Sequence, residues 1–314
     1  MRSITGASSR VKNGGHYLPI DNRLFWIAAM HQPEMQQHGA QLPSMDNWRD
    51  WALDLQAKPR VKRTLSELND NSANAVYLIS DGAKELVLKQ YAPNPAYQSS
   101  GEQLLAIDSW QNAIARPPYS LAAAVLYRDP RNHYAIFEYF DAATLQAGAA
   151  LNQSLLETLC QAIHRYHCYS IQWPVDPISY TGRCEHYLSV ANNHFSTAGI
   201  TKLEQRYREL RDDCVQHLQR AGESLVCCHN DLNPGNILYL KNSSTPAPLR
   251  ILDWDFASPG VAAMDFASLG VELGIDCKLL ATIAGLQEIQ LATAYRVYTL
   301  ICDTYEEILR AARR

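Results

Sequence analysis

The sequence predicts an α+β protein of two unequal lobes, a small one with an antiparallel sheet and one helix, and a larger one that is mainly helical. Three observations carry this expectation. Two apolar runs, Ala75-Val-Tyr-Leu-Ile-Ser80 and Glu85-Leu-Val-Leu-Lys-Gln-Tyr91, flank Asp81-Gly82, which is the pattern of a β-hairpin. Past Asp141 the apolar spacing changes to a helical period. The 314 residues suffice for two separate cores.

Residues 1–63 form a leader with several prolines, Gly14-Gly15 and the tryptophans Trp26, Trp48 and Trp51, and no chemistry is assigned to it. The small lobe is expected over 64–140. After the hairpin, Leu104, Leu105, Ile107 and Trp110 place a helix over Ser99–Ala115 that ends at Arg116-Pro117-Pro118, because a residue before proline is disfavoured in helical geometry. Two further strands are expected at 121–127 and 133–139 around the turn-rich Arg128-Asp-Pro-Arg-Asn132. The large lobe, 141–314, carries helical periodicity over 151–170, 201–221, 262–274 and 279–312, with short strands near 225–228, 236–240 and 249–253. No internal repeat of fixed period is present.

A net charge of −4 from mixed charges provides no broad phosphate-backbone surface, so nucleic acid is not an expected partner. The local excess Lys58, Arg60, Lys62, Arg63 reads as a solvated segment. Eight scattered cysteines have neither zinc-site spacing nor disulfide-scaffold density and read as reduced thiols. The longest early apolar run, Leu24–Met30, is too short to cross a bilayer, and no membrane partner and a cytoplasmic location are expected. Oligomeric state is left open.

The chemistry concentrates in Val226-Cys-Cys-His229-Asn-Asp231-Leu-Asn-Pro-Gly-Asn236, an H-x-D-x-x-x-x-N arrangement between two apolar runs. This is the spacing of a phosphotransferase catalytic loop. An aspartate there accepts the proton of an attacking hydroxyl, and an amide oxygen five residues on returns to hold magnesium at the nucleotide phosphates. Pro234-Gly235 supplies the reversal. Seventeen residues later Leu249-Arg-Ile-Leu-Asp253-Trp-Asp255-Phe ends an apolar strand on an acidic pair, which suits a phosphate-bound magnesium ion. Asp253 is the expected metal ligand, and Asp255 is a second ligand, a substrate contact or a structural acceptor. His229 is expected to brace the loop rather than transfer protons. His164 and His167, three apart on a helix, have no third ligand nearby and are not read as a metal pair.

Together with Asp265-Phe-Ala, these stretches resemble the aminoglycoside phosphotransferase and choline/ethanolamine kinase superfamily, over about residues 64–312. The resemblance implies a protein-kinase-like fold and an ATP- and Mg2+-dependent transfer to a small-molecule hydroxyl. It also implies that Lys89 contacts the nucleotide phosphates and that Glu102 pairs with Lys89. Ile136-Phe-Glu138-Tyr-Phe140-Asp141 matches the family's interlobe linker, whose backbone meets adenine, so Glu138 and Phe140 border the nucleotide. In one departure, the phosphate-covering loop Asn69-Asp-Asn-Ser-Ala-Asn74 has no glycine, and Asn74 stands there as a small polar residue, leaving ATP versus GTP open. Cys228-His-Asn-Asp231 and Asp253-Trp-Asp255-Phe look nearer the choline, ethanolamine and thiamine branches than the antibiotic-resistance branch. Trp254, Phe256, Tyr180 and Tyr187 offer aromatic faces to a quaternary cation, the alternative being that aromatics near a helical core simply pack. The alternatives are an aminoglycoside or amino sugar as acceptor, and, in another class, a nucleotide-binding regulatory protein without catalysis.

Overall fold

The computed structural model describes residues 45–66, 74–91, 101–145, 152–169, 177, 179–194, 198–219, 224–240 and 248–312. The small lobe is a five-stranded antiparallel sheet of β1 (Arg60–Ser66), β2 (Asn74–Ser80), β3 (Glu85–Tyr91), β4 (Val125–Arg128) and β5 (Tyr134–Glu138), in the order β1-β2-β3-β5-β4. The β2–β3 hairpin runs from Ser80↔Glu85 to Asn74↔Tyr91. Asp81 closes its turn by accepting from the backbone N–H groups of Ala83 and Lys84, the local bonding that makes aspartate a turn residue.

The sheet begins at Arg60, so residues 60–63 lie in an edge strand. There Lys62 reaches Glu85 on β3 and Lys58 reaches Asp46, so two of the four basic residues form ion pairs. Charged side chains also protect an edge strand from pairing with another chain. Ahead of it, the short 3-10 turn Trp48–Trp51 packs Trp51, 2 % exposed, against Tyr134 and Tyr127. The Trp51 indole N–H donates to the Tyr134 hydroxyl at 3.1 Å. Part of the leader is thereby joined to the core of Ile79, Leu86, Leu88 and Ile136.

Helix α1 (Gly101–Ala115) follows and turns Ile107, Trp110 and Ile114 into the other, larger core. That core belongs to α2 (Gln153–His167), α3 (Tyr180–His194), α4 (Ala198–Leu218), α5 (Ala262–Leu273), α6 (Cys277–Ala284) and α7 (Glu288–Ala312). Helix α3 has no counterpart in the sequence expectation, and the 279–312 stretch is two helices because Gly285, at φ +65°, ends α6. Between the helices lie two small sheets, β6 (Ala143–Thr144) with β8 (Ile237–Tyr239) and β9 (Leu249–Ile251), and β7 (Val226–Cys228) with β10 (Ser258–Gly260). A bridge between Ala122 and Ile251 joins the lobes, with the Ile251 N–H donating to the Leu121 carbonyl at 2.7 Å. Among the described residues no helix is long and apolar enough to cross a membrane.

Candidate active site

Strand β7 delivers His229 and Asp231 to the interlobe cleft. Asn230, between them, takes the left-handed conformation (φ 63°), which asparagine tolerates better than most residues. Its side-chain amide donates to the Phe256 carbonyl at 3.0 Å and the Ser258 hydroxyl at 2.9 Å, tying the loop to the segment after Asp255. Pro234 then opens a 3-10 turn, where its fixed φ is no handicap, and the turn carries Asn236 back. The Asn236 amide nitrogen donates to the Asp231 carbonyl at 2.9 Å and its carboxylate at 3.1 Å. This leaves the Asn236 amide oxygen as its ligand-facing atom.

His229 is fully buried. Its Nδ1 accepts from the Asp231 backbone N–H at 3.2 Å, and its Nε2–H donates to the Leu252 carbonyl at 2.8 Å. Those bonds fix one neutral tautomer, and burial holds its pKa below the ordinary value. The ring joins the Asp231 loop to the strand leading to Asp253.

Below the loop sits Asp265, 0 % exposed, on the first turn of α5. One oxygen accepts from Tyr166 Oη (2.7 Å), His167 Nε2 (2.9 Å) and the His229 N–H (2.9 Å), and the other accepts from the Asn230 N–H (2.8 Å). Burial pushes this carboxyl up, but the hydrogen bonds from His167 and Tyr166 help outweigh it and hold it below the ordinary range. His164, the other histidine of α2, bonds the Ala284 carbonyl at 2.9 Å.

Lys89 of β3 meets both acidic residues of the Asp-Trp-Asp stretch. Its Nζ lies 2.5 Å from Asp253 Oδ1 and 2.7 Å from Asp255 Oδ2, with the three side chains 8 %, 9 % and 11 % exposed. Burial opposes the ammonium charge, but the two carboxylates outweigh it and Lys89 titrates above its ordinary value. Asp255 is shifted upward, because burial outweighs the help from Lys89. Asp253 is left-handed at φ 61°, a strained setting for a residue with a Cβ. Asp231 is 3 % exposed, and burial, with the Asp253 charge, holds its carboxyl well above the ordinary aspartate range. A carboxylate in that state is a strengthened proton acceptor.

The cleft is a cavity of about 320 Å³, at the small end of small-molecule sites. Lys89, Asn236, Asp253 and Asp255 line its polar end, and Val76, Val87, Ala123, Phe137, Leu238 and Leu252 its apolar part. Glu138 and Phe140 border it, with the Glu138 N–H donating to the Ala124 carbonyl at 3.0 Å and the Arg250 guanidinium 5.0 Å from the Phe140 ring. Arg63 of β1 reaches the Tyr139 hydroxyl at 3.4 Å from the opposite wall.

Not every expected residue is brought here. Asn74 is the first residue of β2, paired in register with Tyr91 and 1 % exposed, and the rest of the covering loop lies outside the described residues. Glu102 is in the first turn of α1, but its side chain lies outside the described residues, as does that of Tyr187. Trp254 and Tyr180, each 1 % exposed, pack into the core, and of the two only Trp254 also lines the cleft cavity. The Trp254 indole packs 4.5 Å from Trp110 and 4.4 Å from His229, and the Tyr180 hydroxyl accepts from the Val261 N–H. Aromatic size and apolarity drove both inward.

Sequence reasoning missed Glu272. It lies on α5 seven residues, about two turns, after Asp265, so a helical-face argument from Asp265 would have reached it. Tyr298 of α7 donates to it at 3.3 Å, and its charge, like that of Asp253, acts on Asp231. Arg183 of α3 was missed too. It donates to the Asn230 carbonyl at 3.2 Å and lies 6.0 Å from the Phe256 ring.

Residues 64–298, three-quarters of the chain, match the model of the "Phosphotransferase enzyme family" (APH). The chain belongs to this family. No curated protein sequence matches this phosphotransferase. Among solved structures it is similar to the choline kinase LicA from Streptococcus pneumoniae (15 % identity, 81 % of this chain and 94 % of that one, TM-score 0.56). It is likewise similar to a microcompartment-associated aminopropanol kinase (15 %, 85 % and 94 %, 0.59) and to an aminoglycoside phosphotransferase solved with GDP and kanamycin (14 %, 79 % and 85 %, 0.54). At these identities the likeness establishes the two-lobed kinase-like fold.

Proposed function

We propose that this phosphotransferase moves the γ-phosphate of ATP to the hydroxyl of a small cationic alcohol, with Asp231 as the proton acceptor. The observation that carries the reading is the buried Asp231–Asn236 pair, whose Asn236 lines one cavity together with Lys89, Asp253 and Asp255. The apolar part of that cavity, bounded by the interlobe linker, accepts the base, and Lys89 at its polar end meets the phosphates.

The side-chain oxygens of Asn236, Asp253 and Asp255 are hard donors of the kind magnesium takes when it shares phosphates. Asn236 fits because its nitrogen is already committed to Asp231, and Asp253 and Asp255 fit because Lys89 already marks their cation-binding direction. Magnesium held by these three residues would supply charge neutralisation to the phosphates. Asp231 orients the acceptor hydroxyl and takes its proton as the new P–O bond forms. Asp265 and His229 hold Asp231 at the fixed distance that in-line transfer requires.

A cationic acceptor is supported by the carboxylates whose charges act on Asp231, those of Asp253 and Glu272, which Arg183 offsets only in part. Glu272, accepting from Tyr298, adds a second negative group, and Phe256 adds a partly exposed ring that already has the Arg183 guanidinium at 6.0 Å. An ammonium group is stabilised there by Coulomb attraction and by the ring face. Choline-, ethanolamine- and thiamine-like alcohols have this chemistry. The named choline and aminopropanol kinases of similar fold act on compounds of the same class.

The test is magnesium- and ATP-dependent ADP release across choline, ethanolamine, thiamine, aminoglycosides, amino sugars and neutral sugars, with Asp231→Asn as blank. One cationic alcohol preferred, and silent in the mutant, supports the reading. A neutral sugar preferred over every amine would overturn the acceptor class. A mutant retaining more than about a tenth of wild-type turnover would remove Asp231 from its role, since a general base contributes about 10²–10⁴-fold.

A further inference from the structure

Lys89 of β3 and Arg128 of β4 share a register partner, Ala135 of the intervening β5. Directly opposed residues of antiparallel strands project to the same face, so two cations stand on one face with only a methyl group between them. Tyr91, two residues beyond Lys89, projects to that face as well. Its ring centroid is 5.3 Å from Lys89 Nζ and 5.3 Å from Arg128 Cζ, within cation–π range of both. Arg128 is fixed in turn from helix α1, where Asp108 accepts from Nε at 2.5 Å and from Nη2 at 2.7 Å. The two side chains are 8 % and 12 % exposed, so this is a buried fork-to-carboxylate pair and not a solvated one.

We propose that Asp108, Arg128 and Tyr91 are positioning residues for Lys89, forming a side-chain tether from helix α1 through a cation–π–cation stack to the phosphate-binding ammonium. Asp108 fixes Arg128, Arg128 fixes the Tyr91 ring, and the ring limits how far the Lys89 ammonium swings when phosphate replaces a carboxylate as its partner. Asp108 lies six residues beyond Glu102, so the tether meets the helix almost two turns from its first turn. The stack is neutral enough to sit in the interior because the charges of Arg128 and Asp108 cancel. Lys89 is then left to balance Asp253, Asp255 and the incoming nucleotide.

This inference rests on the reading of Lys89 as the phosphate cation, and the experiment separates the two. Binding of a non-hydrolysable ATP analogue with magnesium is measured by calorimetry on the full chain for Tyr91→Leu, Tyr91→Phe and Arg128→Met, each with and without Lys89→Met. Urea midpoints confirm that each variant is folded. Tyr91→Leu should weaken binding roughly tenfold, the scale of a desolvated cation–π contact. Tyr91→Phe, which keeps the ring, should stay within about twofold. Tyr91→Leu and Arg128→Met should cost nothing further once Lys89→Met is present. An equal loss with and without Lys89 would reduce Tyr91 to a packing role and overturn the tether, as would a Phe variant as weak as Leu. If Lys89→Met weakens binding but Tyr91→Leu does not, the tether alone fails; if Lys89→Met binds as tightly as wild type, the phosphate reading fails and takes the tether with it.

Discussion

Replacing Asp265 by asparagine tests how the catalytic loop is held, because the substitution keeps the shape and changes only charge and hydrogen-bonding character. In the wild type one carboxylate oxygen receives three donors and the other one. The amide oxygen of Asp265→Asn can take the three-donor position, but its NH2 group then faces the Asn230 N–H. Exchanging a charged for a neutral acceptor weakens each of three bonds by about 1 kcal/mol, and the donor facing a donor costs about 1–3 kcal/mol. Relief of the buried charge returns part of this, leaving a loss of about 3–5 kcal/mol. Urea unfolding followed by tryptophan fluorescence measures it, and turnover should fall with it because His229 and Asn230 lose their anchor. The pH dependence adds an independent check. The folded Asp265 carboxyl titrates below its unfolded value, so its stabilisation is complete above the unfolded pKa and is lost as pH falls through the folded one. The gap between wild type and Asp265→Asn should therefore narrow on acidification. A loss under about 1 kcal/mol at neutral pH would refute the anchoring argument, since it would equal one ordinary hydrogen bond.

Three more predictions follow from the site and its helix. The raised Asp231 carboxyl puts the acid limb of kcat/KM above the ordinary aspartate range; because the stability tied to a raised carboxyl is lost as pH rises through its folded pKa, ligand-free Asp231→Asn should melt higher than wild type at neutral pH and match it in acid. Lys89→Met leaves Asp253 and Asp255 buried without their cation and should lower stability by about 3–5 kcal/mol in chelator, with part of the loss recovered on adding magnesium in thermal melts. Gly270→Ala would place a Cβ 1.7 Å from Tyr295 Oη and 2.8 Å from Leu280 Cδ2, so Tyr295 must leave its bond to the Ile275 carbonyl. The cost should be about 2–4 kcal/mol by denaturant midpoint, and smaller in a Tyr295→Ala background.

The elements legible in the sequence were those whose signal is local. The β2–β3 hairpin, α1, α2, α5 and the three short strands around the catalytic loop follow from periodicity and turn chemistry, within a few residues. Helix α3 was not legible because Tyr180–His194 is weakly amphipathic, and its placement comes from packing against α4 and α7. The catalytic loop was legible because Asp231 and Asn236 must sit at a fixed spacing to meet, and they do. What stayed hidden depended on distant pairing. Asp108 and Arg128 are ordinary charged residues in the sequence, and only the sheet register brings Arg128 beside Lys89. Trp254 shows another limit: an aromatic between two acidic residues looks like a ligand face, yet its ring is almost wholly buried against Trp110, Tyr166 and His229.

The ion cluster at Lys89 also sets the order in which this chain becomes competent during synthesis. Lys89 and Asp253 are 164 residues apart, so at roughly 5–20 residues per second the ribosome needs about 8–30 s to supply the lysine's partner. Throughout that interval the nascent sheet carries an ammonium group whose eventual burial site is incomplete, and closing it before Asp253 emerges is unfavourable. The small lobe therefore remains open on that side until translation has passed the acidic pair, and the helices α5–α7 that complete the large core follow later still.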